Sequence, residues 1–118
     1  MGKRGREKAK QTALSAPATE YRDAEDNVLA LRGALSPATR RAYAETLGGG
    51  LHREDARARA VEMLFERLAV SWTISGIETS RQKELLARYR MATAAEREFV
   101  LDSLRRHVAE NFPELETP

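Results

Sequence analysis

The sequence predicts an all-α fold: a compact bundle of four to five helices behind a disordered basic N-terminal arm. Three observations carry that expectation. Apolar residues recur at three-and-four spacing along most of the chain, the period of one helical face. Ser/Thr, Pro and Gly punctuation cuts the chain into pieces of helical length. A charged fraction of 32% beside 42% hydrophobic residues suits amphipathic helices with solvated outer faces. A length of 118 residues fits one domain with tails. The expected bounds are 1–17 for the arm, 18–112 for the helical domain and 113–118 for an acidic tail.

The first helix is expected over Thr19–Ala34. Thr19 is its N-cap, Glu20 and Asp23 complement the dipole in its first turn, and Tyr21, Ala24, Val28, Leu31 and Leu35 form its stripe. Ser36-Pro37 opens a second helix, Pro37–Leu47, because proline lacks the donor that is unpaired at a first helical position. Ala42 or Tyr43 and Leu47 face inward, and Gly48-Gly49-Gly50 ends the helix at a flexible joint.

The central helix is expected over Glu54–Ser75, with Val61, Leu64, Phe65, Leu68 and Trp72 on one face and Ala58 seven residues before Phe65. Two large aromatics on one stripe make it the heart of the core. Glu62 and Glu66 are read as solvent-facing. Gly76 stops the helix, and Ile77 turns back onto the core. The fourth helix, Ser80–Met91, buries Leu85, Leu86 and Tyr89 and shows a basic face of Arg81, Lys83, Arg88 and Arg90. Thr93-Ala-Ala-Glu96 is a capping box, in which hydroxyl and carboxylate each satisfy the other residue's amide. Phe99 or Val100, Leu104, Val108 and Phe112 form the stripe of the fifth helix, ended by Asn111 and Pro113.

Composition narrows the function classes. The absence of cysteine excludes disulfides and thiolate metal sites. No apolar run reaches the ~18 residues of a membrane span, and the N-terminus lacks the apolar stretch of a signal peptide. A cytoplasmic protein without a membrane role is expected. The net charge of +2 is uneven: Lys3, Arg4, Arg6, Lys8 and Lys10 face only Glu7, so residues 1–10 carry +4 and the remainder −2. Sixteen of the twenty basic residues are Arg amid abundant Ala, a bias that a GC-rich genome also produces.

Catalytic and cofactor motifs fail on spacing. A phosphate loop continuing from Gly48 and Gly50 needs glycine at 53, where Arg53 stands. A bundle metal site needs Glu three residues before His, but position 49 is Gly and 104 is Leu. His107, near Glu110 and Asn111, reads as a surface histidine near a helix C-terminus. No enzyme activity, cofactor or metal is expected. A helix-turn-helix centred on Gly76 meets Trp72 where a small residue is needed, and an αα-hairpin with a charged outer face fits that stretch better.

Residues 31–47, LRGALSPATRRAYAETL, resemble the start of the core-binding domain of tyrosine recombinases and phage integrases. Ser36, Pro37, Thr39, Arg40, Tyr43 and Leu47 match that family's opening helix, while Gly50 stands where it would continue with a large apolar residue. The resemblance implies at most a small helical DNA-clamping module, because the family's catalytic domain does not fit in this chain.

Two function classes follow. One is a non-enzymatic, DNA-associated accessory or regulatory module, whose phosphate-contacting residues are Lys3, Arg4, Arg6, Lys8 and Lys10 of the arm with Arg40, Arg41, Arg81, Lys83, Arg88 and Arg90 of the body. The other is a protein-interaction or structural module, including a self-associating one, with no nucleic-acid role. Convergence of the basic side chains favours the first, and their dispersal among carboxylates favours the second.

Overall fold

The computed structural model describes residues 17–49 and 52–118. The chain is α+β, which corrects the expected all-α helical bundle. In order, the elements are β1 (Thr19–Arg22), β2 (Val28–Leu31), α1 (Pro37–Gly48), α2 (Arg53–Leu68), β3 (Ala69–Ile74), β4 (Ile77–Thr79), α3 (Gln82–Arg90) and α4 (Ala94–Asn111). The strands form one antiparallel sheet in the order β1-β2-β3-β4. Two hairpins build it, and α1 and α2 lie in the connection between its two central strands.

The expected first helix is the hairpin β1–β2. Tyr21, Val28 and Leu35 are seven apart and imitate a helical stripe, but five turn-forming residues intervene. The Asp23 carboxylate accepts from the Glu25 and Asn27 amides at 2.9 Å each, and Asp26 adopts φ 65°. Such side-chain-to-backbone bonds compete with helix. Thr19-Glu20-Tyr21-Arg22 then shows the strand period, with Tyr21 buried between exposed Glu20 and Arg22.

The central helix stops at Leu68 and passes directly into β3, so Trp72 is a strand residue. Ser75 (φ 51°) and Gly76 (φ 80°) form a two-residue hairpin turn between paired Ile74 and Ile77. Both turn residues having positive φ is the type I′ signature, whose twist matches that of the strands. Neither a helix-turn-helix nor an αα-hairpin occupies this stretch. Asn27 ties the two hairpins together: its side-chain oxygen accepts from the Ser75 amide at 2.9 Å, and its NH₂ donates to Asp23 at 2.9 Å.

One sheet face carries the core. Tyr21, Leu29 and Trp72 stand side by side in register on β1, β2 and β3, all buried. α4 packs on β2 and α2, while α3 packs on β3 and α2. Phe65 joins the layers, stacked on Tyr89 with ring centroids 4.9 Å apart and edge-on to Trp72 at 5.7 Å. Val61, Leu64, Leu68, Leu85, Val100, Leu104, Val108 and Phe112 complete this core. Ile77, expected to turn inward, is 73% exposed on β4, a three-residue edge strand.

Two expected helix starts are present. The Ser36 hydroxyl accepts from the Thr39 amide, with Pro37 at the first turn of α1. The Thr93–Glu96 capping box opens α4, and the side chain of each accepts from the other's amide. Residues 113–118 lie against α1: the Tyr43 hydroxyl donates to the Glu116 carbonyl at 2.5 Å, and burial beside Glu116 pushes that phenol up to about 12.

Candidate interaction surface

The basic residues singled out in the sequence do not form one free face. Three of the six in the body are engaged within the molecule. Arg40 pairs with Glu114, donates through Nε to the Leu35 carbonyl at 3.0 Å and lies 5.1 Å from the Phe112 ring centroid. Arg88 donates to Glu96 at 2.6 Å and covers Trp72 at 5.4 Å. That contact, with the Thr93 amide, holds the Glu96 carboxyl below its usual value. Arg90 binds Glu62 through Nε at 3.0 Å and through a second nitrogen. Glu62 is therefore partnered rather than simply solvated. Arg41, Arg81 and Lys83 are exposed and make no salt bridge among the described residues. Lys3, Arg4, Arg6, Lys8 and Lys10, with the whole expected arm except Pro17, lie outside the described residues.

Two concavities flank α2 instead. A groove of about 630 Å³ separates α1 from α2, floored by Ala38, Ala42, Ala58 and Met63. A second of about 280 Å³ runs between α2, α3 and α4, floored by Ala58, Val61, Tyr89 and Leu101. They meet at Ala58, which is exposed rather than on the buried stripe where its seven-residue spacing from Phe65 placed it. Ala56 and Ala60 take the buried positions there. The charged residues are of both signs: Arg59, Glu62, Glu66 and Arg67 line the first groove, and Glu54, Arg57, Arg97 and Glu98 the second. Each set holds two acids and two bases. Sequence reasoning missed this surface because it arises from which residues α1 and α4 leave uncovered.

His107 also departs from expectation. It is fully buried, not a surface residue. Its Nε2 lies 2.8 Å from the Arg32 carbonyl, which can only accept, so Nε2 carries the proton. Nδ1 then accepts from the Tyr21 hydroxyl at 2.9 Å and from the Asn111 side-chain amide at 3.2 Å. Burial lowers the His107 pKa against the opposing pull of the Arg32 carbonyl and Glu110, so the ring is held neutral. With both nitrogens committed to neighbours, the network joins α4 to β1 and the end of β2.

Among the described residues, no group of three or more His, Asp or Glu side chains is arranged to hold a metal ion, and no helix is long and apolar enough to cross a membrane. No family model, curated protein or solved structure matches the chain.

Proposed function

We propose that this chain is a protein-interaction module that associates through the grooved surface of α2, with a second copy of itself as the occupant. The carrying observation is the charge balance of that surface. Two grooves with small and apolar floors meet at Ala58, and each is lined by two acids and two bases, Glu62 of the first being already paired with Arg90. A single-sign patch repels its own copy, whereas one of mixed sign can pair with itself across a two-fold axis. Phosphate recognition calls for the opposite, a concentration of free cations. Arg40, Arg88 and Arg90 would have to leave carboxylates to supply it.

The DNA-associated reading rests on the +4 charge of residues 1–10. Each phosphate neutralised adds about −0.9 to the slope of log affinity against log salt. Fluorescence anisotropy with a labelled duplex at several salt concentrations tests the division between arm and body. Under our reading the chain lacking residues 1–10 gives no measurable slope. A slope of about −3 or steeper in that truncated chain would show that the body itself binds phosphates.

A further inference from the structure

A further cleft of about 320 Å³ adjoins the first groove, sharing Glu66 and Arg67 with it, where the end of α2, the start of β3 and the start of α3 converge. Arg32, Glu66, Arg67, Val70, Ser80 and Gln82 line it.

Arg32 has a fixed main chain. Its amide donates to the Leu68 carbonyl at 2.8 Å, and its carbonyl accepts from His107 at 2.8 Å. Its Nε is fully enclosed, yet makes no hydrogen bond within the described residues. That enclosed atom is out of a ligand's reach, so the cleft-lining remainder of the half-buried Arg32 guanidinium is what meets a bound group, with the Nε–H as a reporter beside it. Val70 is the extra residue of a β-bulge, since Ala30 pairs with Ser71 while Leu31 pairs with Ala69. Bulges re-aim side chains at sheet margins. Gln82 braces the cleft by donating to the Glu66 carbonyl at 3.2 Å. α3 begins here with Arg81 as N-cap and no side-chain cap, so its first-turn amides add donors at the same end.

We infer that this cleft binds a phosphomonoester, with Arg32 and Arg67 holding the phosphoryl oxygens and the Ser80 hydroxyl donating beside them. Two guanidinium groups and a hydroxyl outnumber the single carboxylate of Glu66, and planar arginine forks match phosphate oxygens. The volume exceeds that of a bare phosphate and leaves room for the alcohol that carries it.

The test is a titration of the full chain, following the arginine Nε–H resonances by NMR. Inorganic phosphate and O-phosphoserine are the probes, and sodium chloride at matched ionic strength is the control. The Arg32 Nε–H signal should shift saturably with phosphate, and phosphoserine should saturate it at lower concentration. Arg67→Gln should weaken phosphoserine binding about ten-fold, the scale of one charge-assisted hydrogen bond. Glu66→Gln should strengthen it by removing the repelling carboxylate. Both residues lie at the surface end of α2, and unchanged thermal melting checks that each variant is folded. An Arg32 signal that stays still, or moves equally in chloride, overturns the site. So does full affinity in Arg67→Gln. Phosphate binding without a gain for phosphoserine overturns the ester assignment.

Discussion

Replacing His107 should make the fold's buried polar network visible in its pH dependence. In His107→Phe the ring volume is roughly kept, while the Nε2–H donor and the Nδ1 acceptor both disappear. The Arg32 carbonyl and the Tyr21 hydroxyl, 2.8 and 2.9 Å from those nitrogens, lose these partners. Each buried polar group stranded this way costs about 1–3 kcal/mol, so the loss at pH 8 should be about 2–6 kcal/mol, reduced by the greater apolarity of phenylalanine. Tyr21→Phe alone should cost about 1 kcal/mol, because Nδ1 retains the Asn111 amide at 3.2 Å. The double variant should cost less than the sum of the two, since it removes the hydroxyl that His107→Phe strands.

The pH dependence has a definite sign. Burial lowers the folded-state pKa of His107 below its ordinary 6.5, so the unfolded chain binds more protons at mildly acidic pH. The stability from keeping the ring neutral is present above about pH 6.5 and is lost as pH falls towards the folded-state value. Between those limits the slope approaches about 1.4 kcal/mol per pH unit. Asp23 contributes in a separate, more acidic window: burial opposes its ionisation, but hydrogen bonds from Asn27 and the Glu25 amide outweigh that and lower its pKa. Urea denaturation from pH 8 to 5 should show the slope near pH 6 in the wild type and its loss in His107→Phe. Equal slopes in the two proteins, or a variant as stable as wild type at pH 8, would refute the neutral, doubly bonded ring.

Three further outcomes test the packing and the turns. Trp72→Ala should cost about 3–5 kcal/mol from lost burial and cavity, towards the lower end because its enclosed Nε1 makes no hydrogen bond to lose, as the denaturant midpoint will show. Thr93→Ala and Thr93→Val should each cost about 1 kcal/mol in thermal melts, since both remove the hydroxyl that accepts from the Glu96 amide. Asn27→Ala should cost about 1–3 kcal/mol and speed hydrogen exchange at the Ser75 amide, which loses its acceptor.

The sequence was most legible where the controlling interaction is local. The Ser36 cap and the Thr93–Glu96 box act over three residues, and both helix starts stand where those residues placed them. Core membership was also legible for Leu64, Phe65, Leu68 and Trp72, because a large apolar side chain is buried on helix or strand alike. Which of the two it occupies was not. Leu68 and Trp72 are four apart and continue a helical stripe, although the β-branched residues Val70, Thr73 and Ile74 and the Ser75-Gly76 pair already carried a hairpin signal. Asp23 and Asn27 likewise marked a turn inside an apparent stripe. The partners of the basic residues lay beyond local reading: Arg40 meets Glu114 across 74 positions, and His107 meets Tyr21 across 86. Those contacts exist only once the sheet and α4 are assembled, so a surface histidine and a basic face were the natural readings of the isolated helices.

The claim that the α2 surface is where this protein associates is met most directly by sedimentation equilibrium on wild type and Ala58→Arg. Ala58 is exposed at the junction of the two grooves, so arginine there fills the surface without entering the core. The wild type should shift from monomer towards dimer between about 1 and 200 µM, the range set by a micromolar interface. Ala58→Arg should remain monomeric over that range with an unchanged melting temperature. A wild type that stays monomeric throughout, or an Ala58→Arg protein that dimerises equally well, would contradict it.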